Sequence, residues 1–437
     1  MSSVLGISLP GKWSSAPLKH VTTYLNRGSA PTYVDEGAVR AISQAANQAA
    51  GLDWTRTRFH EFSGDPRKLK GFLLPDDILI NSTGTGTLGR VGYFTQSPDG
   101  LPCMADSHVT VARSKLGELD PRFVYYWLSS RPFQEFVYAA LVVGATNQIE
   151  LNRDRLGDAP VPLPGLEEQR RIADFLDAET ARMAVLSNSL NRFDKDVRER
   201  ERAVLAQSLN AGVGGTESDL PDGWQWTPLM HLTDPLRQIM YGIVLPGPNV
   251  GDGVPIVKGG DVAANRLSVE TLNRTTREIE AGYARSRLKG GDLLIAIRGS
   301  VGEIAVVPEE LTGANLTQDA ARISIDQAVD AGWLRLVLES PVVAHQIQQR
   351  VTGATIKGIN IWDLKRIMVP TPPAKAQAAL ADVVGRSIQT HEALRVRVQQ
   401  HKRLVAERRQ ALITAAVTGQ FDVSTASGRN VTEGITA

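Results

Sequence analysis

Two short glycine-rich stretches hold the residues best suited to chemistry in this 437-residue chain. Asn81-Ser82-Thr83-Gly84-Thr85-Gly86 and Arg298-Gly299-Ser300-Val301-Gly302 each follow an apolar run, Asp77 to Ile80 and Leu293 to Ile297. Small residues let backbone N–H groups and hydroxyls approach an anion closely, so the chemistry on offer is phosphate binding without catalysis. Lys68, Lys70 and Arg90 lie near the first stretch in sequence, and Arg285, Arg287, Lys289 and Arg298 near the second. Such cations suit phosphate contacts and, for arginine, guanine edges. Further on, Thr146-Asn147-Gln148 and Thr355-Ile356-Lys357 could present amides or an amine to bases or phosphates. The candidate phosphate or base contacts are therefore Lys68, Lys70, Ser82, Thr83, Arg90, Thr146 and Gln148 in the first half, and Arg285, Arg287, Lys289, Arg298, Ser300, Thr355 and Lys357 in the second. A plainer reading stands beside this one: tight turns with solvated charges, and ordinary polar residues in helix-to-strand connections.

Catalytic constellations are missing from the sequence. The histidines (His20, His60, His108, His231, His345, His391 and His401) show no HxxxH or His-Cys ligand spacing, so no metal site is expected. No Walker lysine follows a glycine-rich loop, and neither nucleophile-elbow nor kinase signatures occur. The run from Thr83 to Gly89 superficially resembles a dinucleotide fingerprint but lacks the following helix pattern and the distant acidic residue. No Asn/Asp-Pro-Pro-Tyr/Phe motif of an amino-methyltransferase is present, nor the carboxylate and lysine set of a nuclease. The expectation is a non-catalytic chain that binds no cofactor of its own.

Charge and composition narrow the partners. Lys and Arg number 48 against 47 Asp and Glu, a formal charge of +1, so no bulk field holds nucleic acid or membrane and any anion site must be local. A lone cysteine, Cys103, excludes an intramolecular disulfide framework and suits a reducing compartment; its plain role is a small buried hydrophobe. The first residues lack a basic segment followed by an apolar core, and the longest apolar stretch, Phe136 to Ala145, is too short to cross a bilayer. A soluble cytoplasmic protein is expected, of two or three domains by length.

The elements that must position these loops occur twice. Leu9-Pro10, Trp13, Pro17-Leu18 and His20 realign without gaps on Leu220-Pro221, Trp224, Pro228-Leu229 and His231. Leu69-Lys70-Gly71 followed by Asp77-Ile78-Leu79-Ile80 resembles Leu288-Lys289-Gly290 followed by Asp292-Leu293-Leu294-Ile295. Gly144-Ala145-Thr146 matches Gly353-Ala354-Thr355, and Gln169, Asp174, Glu199 and Arg200 fall on Gln377, Asp382, Glu407 and Arg408 at one constant offset. Insertions therefore fall in the first part of each copy, while the last part stays in register. The variable parts read as compact α+β domains entered by Trp13 and Trp224 as core anchors, with amphipathic helices expected over Phe123 to Val137 and Trp333 to Ile347.

The constant parts read as long helices. Glu167 to Leu209 contains neither Gly nor Pro. A heptad seam follows from Ile172, Leu176, Met183, Leu186, Leu190, Phe193, Val197 and Val204, with Leu380, Val384, Leu394, Val398, Val405 and Leu412 in the second copy. Glu179, Arg200, Ser387, His391, His401 and Arg408 interrupt it, and Gly212 and Gly419 stand where C-terminal caps belong. A helix of roughly 43 residues spans about 65 Å at 1.5 Å per residue. A domain of about 150 residues has a radius of gyration near 15 Å and cannot carry the chain back along such a helix. The pair is thus expected to be antiparallel with a pseudo-two-fold relation. The division expected is 1–165 first α+β domain, 166–211 first long helix, 212–372 second α+β domain, 373–420 second long helix and 421–437 tail.

These residues together resemble the specificity subunits of type I restriction-modification enzymes. The resemblance rests on the tandem organisation, on the paired Leu-Pro-x-x-Trp-x-x-x-Pro-Leu pattern, on Asp292 to Gly302, and on Val161-Pro162-Leu163-Pro164-Gly165-Leu166-Glu167-Glu168-Gln169-Arg170-Arg171-Ile172 opening a long helix. It implies two target-recognition domains, each reading one half of a bipartite double-stranded DNA target, separated by helices that pair as an antiparallel coiled coil. It implies docking of two modification subunits, with S-adenosylmethionine, and of restriction subunits, with ATP and Mg, all bound outside this chain. Lys375-Ala376-Gln377 replaces Glu167-Glu168-Gln169 in the second copy, and the first glycine loop lacks a counterpart of Arg298, so the two halves need not share contact chemistry. The alternative from another class is a two-domain coiled-coil scaffold without DNA readout.

Overall fold

A computed structural model describes residues 2–48, 51–84, 86–144, 149–208, 220–263, 265–353 and 357–425. The chain forms two compact units, one of Met1–Leu190 with Gln400–Ala437 and the other of Asn191–Gln399.

In the first unit, β1 (Ser14–Pro17) lies antiparallel to β6 (Pro160–Leu163), closing the domain where it begins and ends. Between them an antiparallel sheet runs in the order β4 (Val91–Phe94), β3 (Asp77–Asn81), β5 (Val109–Ser114) and β2 (Thr22–Arg27). Every residue of β3 is buried, which accounts for its unbroken apolar centre, Ile78-Leu79-Ile80. A second sheet contains the parallel pair Val39–Ile42 and Cys103–Ala105. Cys103 is buried there, and burial pushes its thiol pKa up to about 12.

The second unit repeats the closing strand pair and the four-stranded sheet in the same order. β7 (Gln225–Pro228) pairs with β12 (Met368–Thr371), and the sheet order is β10 (Ile304–Val306), β9 (Leu293–Ala296), β11 (Ala320–Ile323), β8 (Met240–Tyr241). Its second sheet again holds a parallel pair, Ile256-Val257 on Asn315-Leu316. The equivalences correct one of the sequence matches. Leu73 and Leu288 donate N–H bonds to Cys103 and Ala314, Leu74 and Lys289 donate theirs to the Asp77 and Asp292 carboxylates, and Asp76 and Gly291 share a left-handed φ of 72° and 83°. Lys289 thus corresponds to Leu74, not Lys70; the Leu-Lys-Gly coincidence sits four residues too early in the first copy.

The expected amphipathic helices each break in two. Phe123 to Val137 becomes α1 (Pro121–Ser129) and a short helix Arg131–Phe136, and Trp333 to Ile347 becomes α3 (Ala331–Leu338) and a helix Pro341–Arg350. Pro132 and Pro341 are tolerated in a first turn but not in a helix interior, and Ser130 and Ser340 turn extended to accommodate them.

The long helices are α2 (Leu166–Ser208) and α4 (Ala374–Val417), the latter followed by Gly419 at φ 72°. Within the first unit, Ile172, Leu176 and Met183 share a core with Leu412, Ile413, Ala416 and Val417, and the Phe175 and Phe421 ring centroids are 5.6 Å apart. Within the second, Leu205 and Val204 pack with Val384 and Ile388, and Arg395 reaches Asp194 and Glu201 at 4.0 and 3.8 Å. In each unit residue numbers rise along one helix as they fall along the other, so both segments pair antiparallel.

The seam needs one correction. Leu186 and Phe193 are 49% and 46% exposed, while Asp194 is 8% exposed. Buried Met183 and Val197 keep their places, half-buried Leu190 between them, but the alternate positions move one residue later, onto half-buried Ser187 and Glu201 and buried Asp194. Asp194 and Glu201 face Arg395, so charge pairing decides which side of α2 turns inward. Leu380, Leu394, Val204 and Val405 are half-buried, and Val384, Val398 and Leu412 are buried.

A buried glutamine helps fasten each long helix to its domain. Buried Gln169 accepts the Asp120 N–H at 2.8 Å and donates to the Glu118 and Pro164 carbonyls; Asp120 caps α1. Gln377 accepts the Asp330 N–H at 2.9 Å and donates to the Pro372 carbonyl; Asp330 caps α3.

Candidate nucleic-acid interface

Both glycine loops leave the C-terminal end of a buried central strand, where the chain must turn sharply. Gly84, Gly86 and Gly89 in the first, and Gly299 and Gly302 in the second, have left-handed φ, a conformation costly for residues with a Cβ. Each loop is braced by the segment that follows the matched Gly144 and Gly353. Thr83 bridges Glu150 and Leu151 donates its N–H to the Ser82 carbonyl; Arg298 bridges Gly358 and Gly299 donates to the Lys357 carbonyl. Loops far apart in sequence therefore form one surface in each unit.

The side chains on these surfaces differ. In the first unit, Ser82 is fully buried and its hydroxyl lies 2.6 Å from that of Thr110, an internal bond. Thr83 is half-buried, donates to Gln44 Oε1 at 3.0 Å and lies 2.8 Å from His108 Nδ1. Arg90 folds inward, donating to the Asn47 carbonyl and the Gln48 side chain. Lys68 and Lys70 are exposed. Thr146 and Gln148 lie outside the described residues, as does Thr355.

In the second unit Arg298, Ser300 and Lys357 are all exposed. The Arg298 side chain is 50% exposed, and the Asp319 carboxylate stands 4.0 Å away. Arg298, Gln318, Asp319, Thr352, Gly358 and Asn360 line a groove of about 510 Å³. Arg285, Arg287 and Lys289 are elsewhere, before β9 and so separated from Arg298 by the strand's length, about 13 Å. Arg287 holds the Glu280 carboxylate through two 2.7 Å bonds, keeping that carboxyl below the usual range.

Residues beyond the sequence-derived set also border these surfaces. Gln44 and His108 anchor Thr83, and Gln318 and Asp319 flank Arg298. Trp362 is 62% exposed directly after Asn360 and Ile361, with the Arg366 guanidinium 3.7 Å from its ring centroid. An exposed tryptophan reads in sequence like a core residue, and only burial distinguishes it. Among the described residues no cluster of His, Cys, Asp and Glu could hold a metal, and no helix is long and apolar enough to cross a membrane.

Comparison with known proteins gives one consistent answer. Residues 56–192 match the family model for the type I restriction modification DNA specificity domain. The chain is 25% identical over 373 residues to the type I restriction enzyme EcoBI specificity subunit of Escherichia coli, covering 79% of this chain and 78% of that protein. It is 22% identical over 435 residues to the putative type I restriction enzyme MjaX specificity subunit of Methanocaldococcus jannaschii, covering 95% of each. In fold it resembles a chain solved in work on complex assembly and conformational transition of the type I R-M system, with a TM-score of 0.70 at 19% identity, covering 95% of this chain and all of that one.

Proposed function

We infer that this chain, a relative of type I restriction enzyme specificity subunits along nearly its whole length, is the sequence-reading, non-catalytic subunit of such a system. It reads a bipartite double-stranded DNA target, one half-site per unit. The observation that carries the reading is the duplicated fold bearing unlike loops: the same strand order and the same braced glycine turn, with Thr83, Gln44 and His108 clustered on one and Arg298, Gln318 and Asp319 on the other. Identical scaffolds with different side chains suit two different short sequences, because base edges are discriminated by donor and acceptor pattern.

The long helices offer a docking surface for modification subunits. Val185, Leu186 and Phe193 on α2, and Val383, Val396 and Leu404 on α4, are exposed apolar side chains on otherwise charged helices. S-adenosylmethionine would then reside on those partners, and ATP with Mg on restriction subunits that join them.

Co-expression with a modification subunit, followed by single-molecule sequencing of the host DNA, tests the reading. Methyl-adenine in a split motif, two short blocks around a fixed spacer, is the expected result. A modification subunit that methylates the same sites with and without this chain would overturn it.

A further inference from the structure

Besides the Arg298 groove, the second unit has a cleft of about 740 Å³ at the opposite end of β9. Five cations line it: Arg237, Arg285, Arg287, Lys289 and Arg322. Their compensation is incomplete. Arg237 is bound to Asp292 through two 2.9 Å bonds, and Arg287 is bound to Glu280. Asp234 also lies nearby, but its carboxylate caps its own turn at the Leu236 N–H. Arg285 and Lys289 are exposed and form no ion pair among the described residues. Arg322, 1% exposed, donates only to backbone carbonyls, those of Arg285, Arg287 and Gln238, and its Nε–H is buried without an acceptor.

A buried guanidinium facing carbonyls rather than a carboxylate retains its full charge in a concave site, where low dielectric strengthens attraction for an incoming anion. Among the described residues of the first unit, Arg322 has no equivalent. Arg322 stands opposite Leu294 across β11 and β9, and the residue at that register in the first unit, opposite Leu79, is Val111 within an apolar cluster. There Asp77 is held by Arg113 from the neighbouring strand instead.

We propose that this cleft is a phosphate-binding site peculiar to the second unit, in which Arg285 and Lys289 capture a phosphate group and Arg322 supplies charge from beneath. The source that fits an open, sequence-blind cleft is the DNA backbone, an assignment that rests on the function proposed above. A free phosphorylated small molecule would offer the same chemistry.

Two measurements on the full chain decide the matter, comparing wild type with the rim variant R285A/K289A, which alters only exposed side chains, and with Arg322→Met. Inorganic pyrophosphate should raise the melting temperature of the wild type saturably and leave the rim variant unmoved. Duplex affinity against salt should have a slope smaller by about 1 to 2 in the rim variant, with the ranking of duplex sequences unchanged. A lost pyrophosphate response with an intact salt slope supports the phosphate site and assigns it to a free ligand. No pyrophosphate response in wild type together with an unchanged slope overturns the site, and so does a variant that changes base preference alone. Absence of salt-dependent duplex binding in wild type would count against the proposed function, while the pyrophosphate measurement would still decide the cleft.

Discussion

Arg298 stands half exposed at its groove in a loose ion pair with Asp319 at 4.0 Å, which a base edge can replace. Arg298→Ala is expected to weaken binding of the second half-site by about 1–3 kcal/mol and to relax preference at one position. Binding titrations with duplexes mutated in either half-site check this; equal loss on unrelated DNA would reassign the residue to a phosphate. Glu280 poses an electrostatic question at the same scale. Its carboxylate is buried and held by Arg287 and Asn315, which lowers its native pKa below the ordinary value of about 4.3. The folded state therefore binds fewer protons, so this contribution is complete above the unfolded pKa and is lost as pH falls through the native one. Denaturant titrations from pH 6 to pH 3 should show a shallower acid decline in Glu280→Gln than in wild type. Residue types singled out Arg298, Ser300 and Lys357, which the fold leaves exposed, but could not show that Ser82 and Arg90 turn inward, because strand alternation and loop closure set side-chain direction.

At the scale of elements, the glutamines Gln169 and Gln377 are the joints between helix and domain. Each satisfies a helix-cap N–H inside a buried junction. Gln169→Leu leaves the Asp120 N–H and two carbonyls without partners and should cost about 1–3 kcal/mol per buried group left unsatisfied, up to the limit of local rearrangement. Urea unfolding of the two single variants, Gln169→Leu and Gln377→Leu, checks it; a loss below about 0.5 kcal/mol in both would show that water replaces the bonds. The sequence signalled these glutamines only as an identity kept at constant offset, with nothing to say what they touch. Helix seams show a similar division: a heptad pattern was plain from Ile172 onward, yet the choice between Phe193 and Asp194 as the inward residue required Arg395, just over two hundred residues away.

For the whole molecule, the proposed assignment of one half-site to each unit makes the halves separable. Replacing 212–372 by the corresponding segment of a relative should change one half of the methylated motif and preserve the other, whereas inserting residues into α2 should change the spacer and preserve both halves. Methylome sequencing reads both outcomes; an insertion that altered a half-site at constant spacer would sink the separation of roles. The sequence by itself determined that the chain is a tandem repeat and that its repeats are α+β domains each followed by a long helix. These are matters of residue type and spacing, which local geometry translates directly into elements. Only the tertiary structure decided that Lys289 matches Leu74, that the loops at Thr83 and Arg298 are each braced by a distant segment, and that four other cations converge beside Arg322. The physical reason is that strand pairing and burial join residues without regard to their separation along the chain, so a site assembled from several loops leaves no period in the sequence to find.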